Sequence, residues 1–127
     1  MMKLREEFPV LFSKPCGFWC EDGWFDLIHD LAAEITAIAE RDDLTVVAMQ
    51  VKEKFGGLRF YLEERETPEL RQVIDAAERR SFTVCELTGE PGRRCKSKKG
   101  FDYRTLSPYM ATVLDYEPVP PPSGELK

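Results

Sequence analysis

The sequence predicts an α+β fold in which two helices pack on a β-hairpin or small antiparallel sheet, with a small lobe near the C-terminus. Three observations carry that reading. Val46 to Glu63 alternates apolar and polar residues about the pair Gly56-Gly57. Residues 22–41 and 67–80 each repeat apolar side chains at three- and four-residue spacing. The stretch after Val84 is rich in glycine and proline, the residues of tight turns. A chain of 127 residues is long enough for one modest core. The expected compact domain is residues 1–114, with the lobe at about 82–110 and a proline-rich flexible tail at 115–127.

Residues 1–21 predict a short polar helix or arm and then irregular chain, because Pro9 and Pro15 interrupt FPVLFSKPCGFWC. Phe8, Leu11, Phe12, Phe18 and Trp19 are expected to lie across the core. Cys16 and Cys20 form C-x3-C, a spacing open to two thiolates on one metal or to two packed thiols, with packed thiols the favoured reading. Asp22 suits an N-cap, and a helix is expected from there to about Arg41. Its buried stripe is Trp24, Leu27, Ile28, Leu31, Ile35 and Ile38. Asp26, Asp30, Glu34 and Glu40 form an acidic outer face, either solvated or suited to a basic partner surface. His29, the only histidine, falls off the stripe and is expected at the surface or an edge.

Glycine adopts the positive φ of a primed hairpin turn at little cost, which places the turn at Gly56-Gly57. Phe55 then faces Leu58, Glu53 faces Phe60 and Val51 faces Leu62. One face holds Val47, Met49, Val51, Phe55, Leu58, Phe60 and Leu62, with Glu53 as the misfit. The other holds Ala48, Gln50, Lys52, Lys54, Arg59, Tyr61 and Glu63. Lys52, Lys54, Arg59 and Tyr61 read as a wet sheet face or as a contact surface with an aromatic anchor. Thr67-Pro68-Glu69 predicts an N-cap, a first-turn proline and an acid placed well for the helix dipole. That helix should run to about Arg80 and bury Leu70, Val73, Ile74 and Ala77. Ser81 to Cys85 is expected to add a short strand.

Charge is uneven. The net value is −5. Residues 1–78 hold 17 Asp/Glu against 9 Lys/Arg, whereas residues 79–104 hold 8 Lys/Arg against 3 Asp/Glu. An acidic body argues against general DNA binding, where phosphate attraction dominates affinity. The basic run Arg93, Arg94, Lys96, Lys98 and Lys99 is expected to be a solvated loop or a contact for phosphate or an acidic partner. No apolar run approaches the ~18 residues of a membrane span. The N-terminal stretch shows no secretory h-region, so a cytoplasmic chain with reduced cysteines is expected.

Cys85-x2-Thr88-Gly89 has the outline of a zinc knuckle whose second thiol is replaced by a hydroxyl. The blocks Asp22-Gly23-Trp24-Phe25-Asp26-Leu27-Ile28, Val51 to Tyr61, Cys85 to Gly92 and Thr105 to Met110 together resemble a family of small phage and bacterial proteins. The resemblance covers about residues 8–110, and its middle block is the specific one. It implies a zinc-ribbon-like C-terminal lobe with ligands at the positions of Cys85, Thr88, Ser107 and Met110. This chain keeps only Cys85 of those four, so the lobe is degenerate and no bound zinc is expected. Cys95, or Cys16 and Cys20, are the alternative donors. Without zinc, Phe82, Phe101, Tyr103, Leu106 and Tyr109 are expected to hold the lobe by packing.

No nucleophile–base pair, phosphate-binding loop or metal-bearing carboxylate pair stands out in the sequence. The expected function is therefore a non-enzymatic binding protein. The phage and bacterial setting of the resemblance implies a protein inhibitor of counter-defence or toxin-immunity type. Its contacts are expected at Lys52, Lys54, Arg59 and Tyr61 and on the acidic helix face at Asp26, Asp30 and Glu34. The alternative is a nucleic-acid-binding module using residues 93–99.

Overall fold

Leu4, Phe8, Leu11 and Phe12 are apolar residues in a charged stretch, and their burial sets the path of the N-terminus. In the computed structural model, which describes residues 1–120, Met2–Glu7 forms α1 and buries Leu4 completely. Phe8, Leu11 and Phe12 enter the same core. The Arg5 guanidinium donates to the carbonyls of Phe12, Lys14 and Cys16, and lies 5.1 Å from the Phe18 ring. That gathers the two-proline segment and presents Phe18–Trp19 as a short strand, β1.

Asp22–Trp24 makes one 3-10 turn and Phe25–Arg41 forms α2. The stripe Leu27, Ile28, Leu31, Ile35 and Ile38 is buried as its spacing predicts. The expected cap is corrected: Asp22 lies inside the 3-10 turn, and the helix entry is held by tertiary bonds instead. Gly23 N–H donates to the Glu86 carbonyl at 2.7 Å, and Trp24 Nε1 donates to the Val84 carbonyl at 2.9 Å. His29 sits at the edge of the core, its Nε2 2.5 Å from Glu7 Oε2 and its ring 5.3 Å from that of Phe8.

Ala48–Lys54 forms β2 and Gly57–Leu62 forms β3, paired antiparallel. The turn falls one residue earlier than expected, on Phe55 (φ 54°) and Gly56 (φ 90°), so Lys54 pairs with Gly57 and Val51 with Phe60. Two requirements select it. The Phe55 and Gly56 carbonyls accept from Arg94 Nε at 3.0 Å and Thr105 Oγ1 at 2.7 Å. Glu53, the misfit, turns its carboxylate to the Gly56 N–H at 2.8 Å. A bulge between Ala48 and Gln50 adds a second correction: Ala48 is buried and Met49 is exposed. The bulge inserts a residue and swaps the faces beyond it. Phe55 is also exposed rather than core, since it occupies the turn. Outside the turn, the predicted sorting holds from Gln50 to Tyr61, with Val51, Leu58 and Phe60 inward. β1 adds to β2 in parallel, Phe18 beside Val51 and Trp19 beside Lys52, giving the order β1-β2-β3.

Pro68–Arg80 forms α3, with Thr67 Oγ1 accepting from Leu70 N–H at 3.2 Å. Leu70, Ile74 and Ala77 are buried, and α3 runs beside α2 against β3. Its C-terminal end protects the free edge of β3. Glu78 Oε2 accepts from Phe60 N–H at 3.0 Å and Ser81 Oγ from Leu58 N–H at 2.8 Å. Ser81–Thr83 consequently continues as a 3-10 turn rather than the expected strand, and only Val84 forms a bridge, to Pro91.

The remaining chain makes a second sheet, Arg93–Ser97 (β4) and Tyr103–Leu106 (β5), then helix Pro108–Leu114 (α4) and strand Tyr116–Pro118 (β6). β4 is the middle strand, antiparallel to both neighbours. Two expectations change here. The basic run is mostly strand, because Arg93 to Ser97 pairs on both sides. The tail does not begin at residue 115. Asp115 ends α4 in the left-handed region (φ 62°), and β6 then returns along β4. The rest of the expected tail, 121–127, lies outside the described residues. Cys85, Cys95, Leu106 and Ala111 form a small second core. No helix among the described residues is long and apolar enough to cross a membrane.

A Cβ on Gly23 would stand 2.3 Å from the carbonyl oxygens of Cys85 and Glu86, both rigid backbone. Gly23→Ala is predicted to destabilise the protein by about 3 kcal/mol, the upper part of the overpacking range. Gly100→Ala, whose Cβ would find its nearest neighbour at 3.9 Å, should leave the urea midpoint within error. Equal midpoints for the two variants would contradict this close contact.

Candidate functional site

The knuckle comes first, because it decides whether the lobe is a metal centre. Cys85 opens a tight turn in which its carbonyl accepts from Gly89 N–H at 2.9 Å and its N–H donates to the Glu90 carbonyl at 2.7 Å. Burial pushes the Cys85 thiol up, but hydrogen bonds from the Thr88 side chain and from the Ser107, Thr88 and Leu87 amides outweigh it, and the thiol stands below its ordinary value. Thr88 Oγ1 accepts from Glu90 N–H at 3.2 Å and so serves the turn. Ser107 caps α4, its Oγ accepting from Met110 N–H at 3.2 Å, and Met110 packs against the second core. The donors left are two thiols and a thioether. Cys16 is buried in the first core and Cys20 packs against it, so neither joins Cys85 and Cys95. Burial, then Glu86, Glu21 and Asp22, push the Cys20 thiol up to about 12. These residues do not fit a four-ligand zinc site, and no group of three or more His, Cys, Asp or Glu suited to a metal occurs among the described residues.

Beside the knuckle lies Glu86, a carboxylate only 2 % exposed. It accepts from Glu21 N–H at 3.1 Å and faces Arg104 at 3.4 Å. Burial raises its pKa and the Arg104 charge only partly opposes that. The group holds the two lobes together and carries no sign of exposed chemistry.

The outer face of the first sheet does assemble the residues read from alternation. Lys52 pairs with Arg59 and Gln50 with Tyr61. Lys54, Arg59 and Tyr61 also line an open cleft of 430 Å³ with Arg71, Asp75 and Glu78 of α3. Arg59 is not a free anchor: it lies 3.7 Å from Glu78, itself bonded to β3, so its side chain is held in place. The residue that the sequence reading assigned to the core, and the structure moves to this face, is Trp19. It is 69 % exposed beside Lys52. Strict alternation from the buried-side Phe18 was the available signal.

The acidic residues of α2 are not part of this face. The helix covers the inner side of the sheet, so Asp26, Asp30 and Glu34 look away from Lys52. Asp30 is engaged with Arg80 at 3.0 Å, and Asp30 and Glu34 flank a shallow groove between α2 and α3.

The basic run divides. Arg94 lies 4.1 Å from the centroid of Tyr103, and Lys96 lies 5.9 Å from Tyr103 and 5.7 Å from Phe101. Lys98 is paired with Asp115 at 3.6 Å. Arg93 and Lys99 are exposed. Phe101 and Tyr109 do not pack the lobe as expected; they are 91 % and 73 % exposed, and the four-residue second core takes that role. No protein-family model matches the chain, and no curated protein or solved structure matches it.

Two predictions follow from the buried groups. Glu86 has a folded-state pKa above its unfolded one, so the native state holds the extra proton and stability falls as pH rises through that window. Glu86→Gln removes the contribution. The stability of the variant relative to the parent should therefore grow from the ordinary glutamate range toward neutral pH, read from urea midpoints; a difference constant with pH would refute it. For the knuckle, Ser107→Ala should cost about 1 kcal/mol through the lost cap. A strong chelator should leave the melting temperature unchanged, and a chelator-induced drop would show that a metal is bound.

Proposed function

We propose that this chain is a non-enzymatic binding protein that grips an acidic patch on a partner protein through the outer face of its first sheet. One observation carries the reading: Trp19 stands exposed in register with Lys52, on the same face as Arg59 and Tyr61. Tryptophan, tyrosine and arginine dominate interface energetics because each brings a large area with little conformational freedom to lose. Lys52 and Lys54 make no ion pair among the described residues, which leaves them available to steer an acidic partner. Arg59 already lies 3.7 Å from Glu78, which keeps its guanidinium near this face. The role assigned is that of a protein inhibitor, of the counter-defence or toxin-immunity kind.

Affinity capture from the native host, compared between parent and Trp19→Ala/Tyr61→Ala, tests this. Arg59 is left intact because its removal would strand Glu78. The double variant should retain its melting temperature and bind the captured partner at least ~30-fold more weakly, since each hot-spot truncation costs about 2 kcal/mol or more. Equal capture by the two proteins would reject this face.

A further inference from the structure

We propose that the outer side of β4 and β5, with the β2–β3 turn, binds single-stranded nucleic acid. Cations and rings alternate along it in the order Lys54, Phe55, Arg94, Tyr103, Lys96, Phe101. Each neighbour is defined by a contact. Lys54 Nζ lies 5.7 Å from the Phe55 centroid. Arg94 Nε donates to the Phe55 carbonyl at 3.0 Å while its guanidinium lies 4.1 Å from the centroid of Tyr103. Lys96 Nζ stands between Tyr103 and Phe101, at 5.9 and 5.7 Å from their centroids.

Three features select the occupant. Most arginines elsewhere on the molecule face carboxylates, as Arg41, Arg71, Arg80 and Arg104 do, but Lys54, Arg94 and Lys96 make no ion pair among the described residues. Glu117 stands in cross-strand register with Lys96 but forms no salt bridge with it, so the three cations can still meet phosphates. Phe101 at 91 % and Phe55 at 53 % exposure are rings with open faces, and unpaired bases stack on such rings whatever their sequence. A duplex keeps its bases stacked on one another and out of reach of these rings, whereas an unpaired strand can use the rings and the cations together. An acidic protein would use the cations but gain less from the two rings. The strip lies on the second sheet and the hairpin tip and shares Lys54 with the protein-binding face, so variants that leave Lys54 in place separate the two.

The test is fluorescence polarisation of the full chain with a labelled oligothymidylate of about 12 nucleotides, within the span of known single-strand sites. Binding should weaken as salt rises, with a log–log slope of roughly −2 for three neutralised phosphates at about −0.7 each. Phe101→Ala and Phe55→Ala should each weaken binding about tenfold, the low end for loss of one stacked base. Lys96→Glu should weaken it further and flatten the slope. None of the three changed side chains is buried, so circular dichroism and melting should match the parent. Capture of the protein partner by these variants should be unchanged, whereas Trp19→Ala/Tyr61→Ala should leave oligonucleotide binding intact. Absence of binding at the lowest salt would overturn the inference. So would indifference to Phe101→Ala, or equal affinity for polyglutamate, either of which would mark the strip as a plain cationic surface.

Discussion

The contact on which the rest of the molecule depends is the meeting of two backbones, Gly23 at the start of α2 and Cys85–Glu86 in the knuckle. Among the described residues the second core has four buried members, two of them cysteines, and is too small to order a lobe by apolar burial alone. It is ordered by docking. Gly23 N–H, Trp24 Nε1 and Glu21 N–H all donate across the joint. Buried donors and acceptors are costly to leave unmade, so these bonds act together or not at all. Glu86 is the expensive member, a buried acid whose ionised form is tolerated because Arg104 and the Glu21 amide face it.

The hairpin meets the lobe through a second set of bonds. Arg94 and Thr105 hold the two turn carbonyls, and Phe82 covers Gly57. The cationic face of the first sheet and the alternating strip of the second are therefore fixed relative to each other without a linker. The acidic face of α2 is turned the other way. The chain's net charge is −5, yet Lys52 and Lys54 of the first sheet and Arg94 and Lys96 of the second stand in no salt bridge among the described residues.

Much of the first lobe was legible because its signals are local. Helix periodicity, the Thr67-Pro68 cap and alternation from Gln50 to Tyr61 need no knowledge of the remainder of the chain. The failures are places where a distant partner decided. The turn shifted to Phe55-Gly56 because Arg94 and Thr105 needed its carbonyls. Asp22 lost the cap role because Glu86 supplied the acceptor. Ser81 to Thr83 stayed helical because the edge of β3 drew in Ser81 and Glu78. The bulge at Ala48 leaves no mark in residue type, and β6 lies in a proline-rich stretch whose partner strand is a run of basic residues with no strand pattern of its own. Among the residues of the proposed contact face, Lys52, Lys54, Arg59 and Tyr61 followed from alternation. Trp19 and the Arg94–Tyr103–Lys96–Phe101 succession depend on strand pairings that composition does not encode.

The joint can be tested by hydrogen exchange at a single amide. If the two lobes stand or fall together, the Gly23 N–H exchanges only through global unfolding, at the rate of the slowest amides in the middle of α2, and follows them as denaturant is added. Exchange of Gly23 orders of magnitude faster, while the α2 amides remain protected, would mean that the lobe detaches in the native state and that the account of the fold is wrong.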